Sequence, residues 1–424
     1  MSSSGKMAGI AIVAIIIGIG IGYGIGGSNT EPGDSAAVTD STALEPSGLS
    51  GEVNIGLILP LTGDLATHGE ENWEGSKLAV VDFNKHLEKI GAPWTLKMTS
   101  EDSATSPVIA LEKLTSLNAK GIELIVGLET SSNIRNIKGY AESNNMLLVS
   151  CCSSAPALAI PNDNVYRLVP DDTNQGTALA KLIQNEGIQA IVPVWRGDTW
   201  GDGISAATIG SFVERGGIAD DGVRYNPEAP EFSASTSLLA EKVRGYVDEY
   251  GADKVAVLFL GFVEVLQFTQ SASQHEVLDD VRWFASGAVT KEHKLVADPI
   301  GLEFSTSVQF TTVMVAFSEN PIYEHVQDSL TETLGRTPNT FVHPSYDVVW
   351  VIGLSILETQ STDVSKIKSV FSDVAEHYYG AIGPTILNEA GDLAQANYEV
   401  WGIRGGEWVL LGQYNHATGS ISFT

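Results

Sequence analysis

Polar loops rich in serine follow two apolar stretches that have the length and composition of buried strands. Residues 123–126 run into the loop 127–133, and residues 146–149 run into the loop 150–154. Serine hydroxyls and free loop N–H groups are good hydrogen-bond donors to a carboxylate. Open α/β sheets bind small ligands beyond the carboxyl ends of their strands. The chemistry expected of these loops is therefore the binding of a small molecule.

No arrangement of residues in the sequence is typical of a catalytic centre. The 8 histidines are scattered, and the chain has no HExxH pair, no GxSxG elbow and no P-loop. Residues 22–27 match GxGxxG formally, but no strand–turn–helix pattern surrounds them. We therefore expect a protein that is not an enzyme, has no cofactor and holds no metal.

Strand–loop–helix units must position the polar loops, and such units recur along the chain. The first consists of a buried strand at 55–59, a polar loop at 61–69 and a long amphipathic helix after Gly69. Regular alternation of strands and helices predicts parallel, doubly wound sheets. A new helix begins at residue 177, after the polar segment 171–176, which indicates a crossover into a second sheet. We expect two Rossmann-like α/β lobes with a cleft between them, closed by a hinge motion around a small ligand.

The charge balance is strongly acidic, and it excludes one class of partner. The chain has 52 acidic and 24 basic residues, a formal net charge of -28, with 43% hydrophobic and 18% charged residues. A globular chain of this kind repels nucleic acid and anionic membrane surfaces, because both require clustered Lys and Arg. No nucleic-acid partner is expected.

An uncharged apolar run at residues 8–27 has about the 20 residues needed to cross a bilayer as a helix. Lys6 precedes the run, and the next basic residue is Lys77, so the N-terminus should stay inside. We expect an uncleaved single-pass anchor in the cell membrane and an extracytoplasmic globular part. A cleaved signal peptide is the alternative. Residues 28–51 are rich in Ser, Thr, Gly and Pro and read as a disordered tether.

The chain's 2 cysteines, Cys151 and Cys152, are adjacent. Neighbouring Cα atoms across a trans peptide lie about 3.8 Å apart, below the usual range for a disulfide. The spacing therefore favours two buried thiols. A vicinal disulfide that stiffens the loop is the second possibility, and a soft-metal site is the third.

Seven stretches, in their order along the chain, resemble the type I periplasmic solute-binding proteins, which include the leucine/isoleucine/valine-binding protein. They are LPLTGDLATHGEENWEG, SEDSATSP, VGLETSSN, LLVSCCSSAPAL, YRLVPDDTNQG, GDTWGDG and GPTILNEAGDL. The resemblance runs from about residue 53 to residue 403. It implies two lobes joined by a three-strand hinge, with lobe one at 52–172 plus 305–385 and lobe two at 173–304 plus 386–424.

The resemblance also implies which first-lobe residues contact the ligand. In family members that bind amino acids, the loop matching Thr130, Ser131 and Ser132 gives a hydroxyl to the ligand carboxylate, and Ser131 is the best match. The loop matching Ser153 and Ser154 supplies a carbonyl and a hydroxyl to the ligand's polar head. These serines form the polar half of the expected site.

Three further candidates occupy positions where family members place aromatic residues. Trp200 and Phe262 lie in the second lobe and would cover the ligand when the cleft closes. His68 lies in the first loop and could donate one hydrogen bond. A Trp packed on its own helix and a solvated loop His are the simpler interpretations.

One departure from the family pattern makes the ligand's identity open. Members that bind α-amino acids hold the ammonium group with a second-lobe carboxylate, but the loop aligned there, 284–290, contains no acid. Either Glu292, Glu264, Glu129 or Asp172 substitutes, or the ligand is not an α-amino acid. A branched-chain or other amino acid, a small amide, urea and an organic acid all stay open.

The resemblance implies delivery of the ligand to the permease of an ABC importer. The alternative is a ligand-sensing receptor domain that signals through a separate membrane partner. A surface adhesion or scaffold protein is a third interpretation, and it predicts no small-molecule binding.

Overall fold

The structure, a computed structural model, describes residues 48–424. The predicted membrane segment 8–27 and the tether up to residue 47 lie outside the described residues. Within residues 48–424 no helix is both long and apolar enough to cross a membrane.

Strands and helices alternate along most of the described chain. The strands are β1 (Gly51–Leu59), β2 (Trp94–Asp102), β3 (Leu124–Gly127), β4 (Leu147–Ser150), β5 (Val165–Arg167), β6 (Ala190–Arg196), β7 (Ile218–Ala219), β8 (Val223–Tyr225), β9 (Val255–Leu260), β10 (Arg282–Ala285), β11 (Thr311–Ala316), β12 (Tyr379–Gly380), β13 (Gly383–Pro384), β14 (Asn397–Arg404), β15 (Glu407–Asn415) and β16 (Ser420–Phe423). The helices are α1 (Ala66–Ile90), α2 (Pro107–Ala119), α3 (Ser131–Ser143), α4 (Asp172–Asn185), α5 (Thr199–Glu214), α6 (Ser233–Tyr250), α7 (Val265–Ala272), α8 (Glu276–Asp279), α9 (His293–Ala297), α10 (Pro299–Ser307), α11 (Pro321–Leu334), α12 (Val342–Thr359) and α13 (Val364–His377).

The first lobe is built on a five-stranded parallel sheet in the order β2-β1-β3-β4-β5. Its central strands are mostly apolar, and Leu57, Ile58 and Leu59 of β1 have no exposed surface. A parallel sheet covered by helices on both faces requires such continuous apolar runs. Helices α1, α11, α12 and α13 share one core with the sheet, whereas α2 and α3 share the other.

The second lobe is built on a mixed nine-stranded sheet. Strands β6, β7, β8, β9, β10 and β11 pair in parallel, and β14, β15 and β16 extend that sheet in antiparallel fashion. Strand β14 is therefore the first of three antiparallel strands at the C-terminal end of the chain. Residues 404–424, for which the sequence predicted no strand, complete this C-terminal meander.

The chain passes between the two sheets three times, as the resemblance implied. The passages lie between β5 and α4, between β11 and α11, and between β13 and β14. Strand β11 pairs with β10 and β14, so the chain leaves the second lobe after residue 316 and not at the expected boundary of 305, which falls within α10. Backbone hydrogen bonds join the first and third passages: Arg167 N–H donates to Gly391 O, and Leu393 N–H donates to Arg167 O.

Helix α1 begins earlier than the sequence indicated, at Ala66 instead of after Gly69. Gly69 is a helical residue packed onto the end of β1, where an added Cβ would lie 2.1 Å from Pro60 O. The glycine therefore marks a close approach of helix to strand and does not mark the end of a loop. His68 consequently sits in the first turn of α1.

Candidate functional site

A cleft between the two lobes collects the polar loops of the first lobe and aromatic residues of the second. Its lining consists of Leu65, His68, Glu129, Thr130, Ser131, Cys152, Ser153, Ser154, Val169, Pro170, Gln175, Trp200, Phe262, Gly287, Ala288, Met314, Val315, Phe341 and Tyr398. The lining comes from the carboxyl-edge loops of both sheets and from the passages between them. This is the place where open α/β folds bind small molecules.

Ser131 and Ser153 form the centre of a hydroxyl cluster on the first-lobe side. Their hydroxyl oxygens lie 2.8 Å apart, and the Ser131 oxygen also accepts the Ala155 N–H at 3.2 Å. Ser131 is the first residue of α3, so the free N–H groups of that helix terminus lie beside it. Hydroxyls beside a helix N-terminus favour an anionic or carbonyl oxygen of a ligand.

The two serine loops are held to each other by the Ser150 side chain. The Ser150 hydroxyl donates to Leu128 O at 2.8 Å and accepts the N–H groups of Cys152 and Ser153. Leu128 has a φ of 54°, a left-handed conformation that is unfavourable for a branched side chain. Strain of this kind is maintained only where the surrounding contacts fix the loop. The hydroxyls are therefore positioned before any ligand arrives.

Ser154 faces the cleft, and its hydroxyl donates to Asp172 Oδ2 at 2.8 Å. Asp172 is 1% exposed and begins α4, where it also accepts from Gln175. Burial raises the pKa of Asp172 to about 8, with the Ser154 hydrogen bond and the charge of Arg167 opposing the shift. Asp172 therefore supports the cleft from behind Ser154 and is not part of its lining.

The second lobe contributes an aromatic wall. The rings of Trp200 and Phe262 lie 4.6 Å apart, and the Arg196 guanidinium lies 3.8 Å from the centre of the Phe262 ring. Arg196 is fixed by Asp198 at 2.6 Å and by Glu264 at 2.9 Å. An aromatic wall of this kind can cover the apolar part of a ligand when the lobes close.

Glu129 supplies a carboxylate to the cleft from the first lobe. Its side chain is 7% exposed; it accepts from Asn72 Nδ2 at 3.2 Å and lies 3.7 Å from His68 Nδ1. Burial raises the pKa of Glu129 to about 8, opposed by the Asn72 hydrogen bond. Burial lowers the pKa of His68, so its imidazole is neutral near pH 7.

The second-lobe acids considered as partners for an ammonium group are engaged elsewhere. Glu264 accepts from Arg196 and from the Tyr225 hydroxyl, and Glu292 accepts the Lys294 N–H at the start of α9. The loop aligned with the family's acidic position contributes Gly287 and Ala288 to the lining. Within residues 48–424, Glu129 is therefore the acid that lines the cleft.

The structure joins Cys151 and Cys152 in a disulfide, so the expectation of two free thiols is not met. The bond closes a ring within the loop that carries Ser153 and Ser154, and Cys152 lines the cleft. Asn72 Nδ2 lies 3.6 Å from Cys152 Sγ. The adjacent pair thus belongs to the wall of the cleft.

Most of the predicted site residues meet in this one cleft. His68, Ser131, Ser153, Ser154, Trp200 and Phe262 line it; Asp172 stands behind Ser154, and Ser132 lies outside the lining. Their contact with a ligand stays a prediction. The sequence indicated Glu129 only as one possible partner for an ammonium group, and the predicted ligand contacts omitted Gln175, Met314, Phe341 and Tyr398. These four lie in α4, in β11, just before α12 and in β14, where no local pattern in the sequence marks them.

Two α/β lobes joined by three passages, with a cleft lined from both, define the type I periplasmic binding protein fold. The chain belongs to the family described as the receptor family ligand binding region, which matches residues 74–406.

Several individual proteins are similar to this chain over most of its length. The chain is 25% identical over 402 residues to an uncharacterized protein of Methanocaldococcus jannaschii, covering 91% of this chain and 94% of the relative. It is 24% identical over 364 residues to Leu/Ile/Val-binding protein homolog 3 of Brucella melitensis, which covers 82% of this chain and 91% of the relative. A leucine-binding protein of Thermotoga maritima has a similar structure, with a TM-score of 0.71, 22% identity and coverage of 85% and 98%. A solute-binding protein of R. palustris in complex with benzoate also has a TM-score of 0.71, with 18% identity and coverage of 88% and 98%.

Proposed function

We propose that this protein is the extracytoplasmic solute-binding receptor of an ABC-type importer. Its ligand is a branched-chain amino acid or a related small polar solute: an amide, urea or an organic acid. The lobes close over the ligand, which is held by the first-lobe hydroxyls and covered by the second-lobe aromatic wall. The observation that carries the proposal is the Ser131–Ser153 hydroxyl pair at the start of α3, facing Trp200 and Phe262 across the cleft.

The comparisons support the same class of ligand. The relative from Brucella melitensis is named for leucine, isoleucine and valine, and the R. palustris protein was solved with benzoate. Each of these molecules has a carboxylate beside an apolar group, and the cleft offers hydroxyl donors beside an aromatic wall.

We further propose that residues 8–27 anchor the protein in the cell membrane and that the tether keeps the binding lobes close to the permease. The support is the uncharged run itself, which is about as long as a membrane-spanning helix requires. Alkaline extraction of membranes from expressing cells tests the anchor: the intact chain should stay in the membrane pellet, whereas release of a shortened chain would indicate a cleaved signal peptide.

The binding role is tested first by a thermal-shift screen of amino acids, amides, urea and small carboxylates, followed by calorimetry with the best ligand. Ser131→Ala should weaken binding about 10- to 100-fold, because a hydrogen bond to a charged group contributes about 1.5–3 kcal/mol. Ser132→Ala is the matched control, since Ser132 is the next residue of α3 and lies outside the cleft lining. Equal affinities for the wild type and Ser131→Ala would remove the hydroxyl pair from the site.

A further inference from the structure

Glu129 is a buried carboxyl group on the first-lobe side of the cleft. Leu65 and Phe341 line the same cleft, and the carboxyl group accepts a hydrogen bond from Asn72 on α1. The hydroxyl of Ser131, two residues later, bonds instead to the loop after β4. The cleft therefore has hydroxyl donors and one carboxyl group on the first lobe, and Asn72 contacts both Glu129 and Cys152 of the serine loop.

The groups around Glu129 provide little to balance its charge. Asn72 donates one amide N–H to it, and His68 stays 3.7 Å away. The other amide atom, Asn72 Oδ1, is buried and accepts from none of the described residues. A buried carboxylate beside an unpaired carbonyl oxygen has capacity for a donor that the described residues do not supply. An aliphatic ligand side chain placed here would give the Glu129 carboxyl no donor and would keep it protonated and neutral, whereas a ligand ammonium group would pair with the carboxylate.

We propose that Glu129 determines the specificity of this cleft by selecting a ligand that carries a protonated nitrogen, an amine or amidine other than an α-ammonium group, in addition to the carboxylate held by the Ser131 cluster. The inference rests on the proposed binding function and narrows its ligand class. Asn72 and His68 position the Glu129 carboxylate, and the aromatic wall covers the carbon chain between the two polar ends.

The charge state of Glu129 gives the proposal a second readout. With a pKa of about 8 in the empty cleft, the carboxyl is mostly protonated at pH 7, and binding of an amine must release that proton. Affinity for an amine should therefore rise with pH between 6 and 8, by up to about tenfold per pH unit. His68 faces Glu129 from α1, and its pKa is lowered mainly by burial; the charged or titratable groups acting on His68 are Glu292, His293, Lys294 and Arg336.

The test compares isosteric ligands by calorimetry on the full-length protein. Ornithine and norleucine differ in a terminal ammonium against a methyl group, and 5-aminopentanoate and hexanoate form the matching pair without an α-amino group. In the wild type, each amine should bind about 10- to 100-fold more tightly than its methyl partner. At pH 7 only ornithine and 5-aminopentanoate should release the Glu129 proton on binding. The release is measured as a binding enthalpy that changes with the ionisation enthalpy of the buffer.

Glu129→Gln should abolish both the preference for the amine and the proton release. Glu112→Gln, the same change at an exposed position on α2 of the same lobe, should preserve them. Equal binding of ornithine and norleucine by the wild type would overturn the inference, whether or not Glu129→Gln folds. If norleucine, leucine or hexanoate binds in a Ser131-dependent way without preference for an amine, the proposed function stands and this inference fails. Binding of no amino acid, amide, urea or carboxylate at all would overturn both.

Discussion

The buried ion pair between Arg167 and Asp392 gives the sharpest stability prediction. Arg167 Nε and Nη2 donate to the two carboxylate oxygens of Asp392 at 2.5 Å and 2.6 Å, and the side chains are 0% and 1% exposed. The guanidinium also donates from Nη1 to Ala155 O at 2.8 Å and Ser153 O at 3.3 Å. One side chain thus joins the first passage, the third passage and the serine loop of the cleft.

Asp392→Asn removes the negative partner and leaves the arginine charge buried. Breaking one side of a buried pair costs about 3–5 kcal/mol, since the remaining charge has neither water nor a counter-ion. We expect the free energy of unfolding of the full-length protein to fall by that amount in urea titrations followed by tryptophan fluorescence. Asp202→Asn is the control: Asp202 has the same two-bond geometry with Arg224, but the pair is half exposed and should contribute about 1 kcal/mol or less.

Arg167→Met should differ from Asp392→Asn in its effect on binding. It withdraws the donors from the Ser153 and Ala155 carbonyls, at about 1–3 kcal/mol for each group left unpaired, and so loosens the loop that carries the hydroxyls. Asp392 can then take up a proton, because burial raises its pKa. We therefore expect Arg167→Met to lose more ligand affinity than Asp392→Asn does. The reasoning is refuted if Asp392→Asn is as stable as Asp202→Asn.

Two further changes test other parts of the structure. Gly69→Ala should destabilise the protein by about 1–3 kcal/mol in the same urea assay, because the new methyl group meets Pro60 O. Gly139→Ala is the control: it lies on an exposed face of α3 with open space and should stabilise the protein by about 0.5–1 kcal/mol. A stabilising effect of Gly69→Ala would contradict the packing of α1 on β1. Glu129 has a folded pKa of about 8 against an ordinary value of 4.5, so it contributes stability that is complete below pH 4 and is lost as pH rises to about 8. Between pH 5 and pH 8 the urea midpoint should fall less steeply for Glu129→Gln than for the wild type. Some decrease should remain in both proteins, because Asp172 also has a raised pKa. Equal slopes would show that Glu129 is not protonated in the folded protein.

Local patterns in the sequence were sufficient for the alternating elements and for the residues beside them. Ser131, Ser153, Trp200 and Phe262 each follow an apolar strand closely, and parallel strands bring such positions to one edge. The prediction failed where close packing changed a local signal. Gly69 looked like the end of a loop, but it is the point at which helix α1 touches β1.

Contacts between distant residues could not be read from spacing. Asn72 and Glu129 are 57 positions apart, and Arg167 and Asp392 are 225 apart, so neither pair leaves a periodic pattern. The C-terminal meander lacks the alternation of strands and helices on which the prediction of the earlier units depended. Whether Cys151 and Cys152 form a disulfide depends on the backbone conformation of their loop, which the local sequence does not specify.

The two lobes contribute different kinds of groups to the cleft. On the second lobe the nearest acid, Glu264, is bound to Arg196, and this pair supports the ring of Phe262, so that side of the cleft offers an apolar cover. The hydroxyls and the carboxylate of Glu129 all stand on the first lobe, where the loop geometry already fixes them. A ligand can therefore complete its polar contacts with the first lobe before the lobes close, and closure then removes water from contacts that are already made. Because an unpaired charge costs most in a dry site, Glu129 should keep its proton when the lobes close over a ligand without a cationic group, and the closed state should be more stable for a ligand that pairs with the carboxylate.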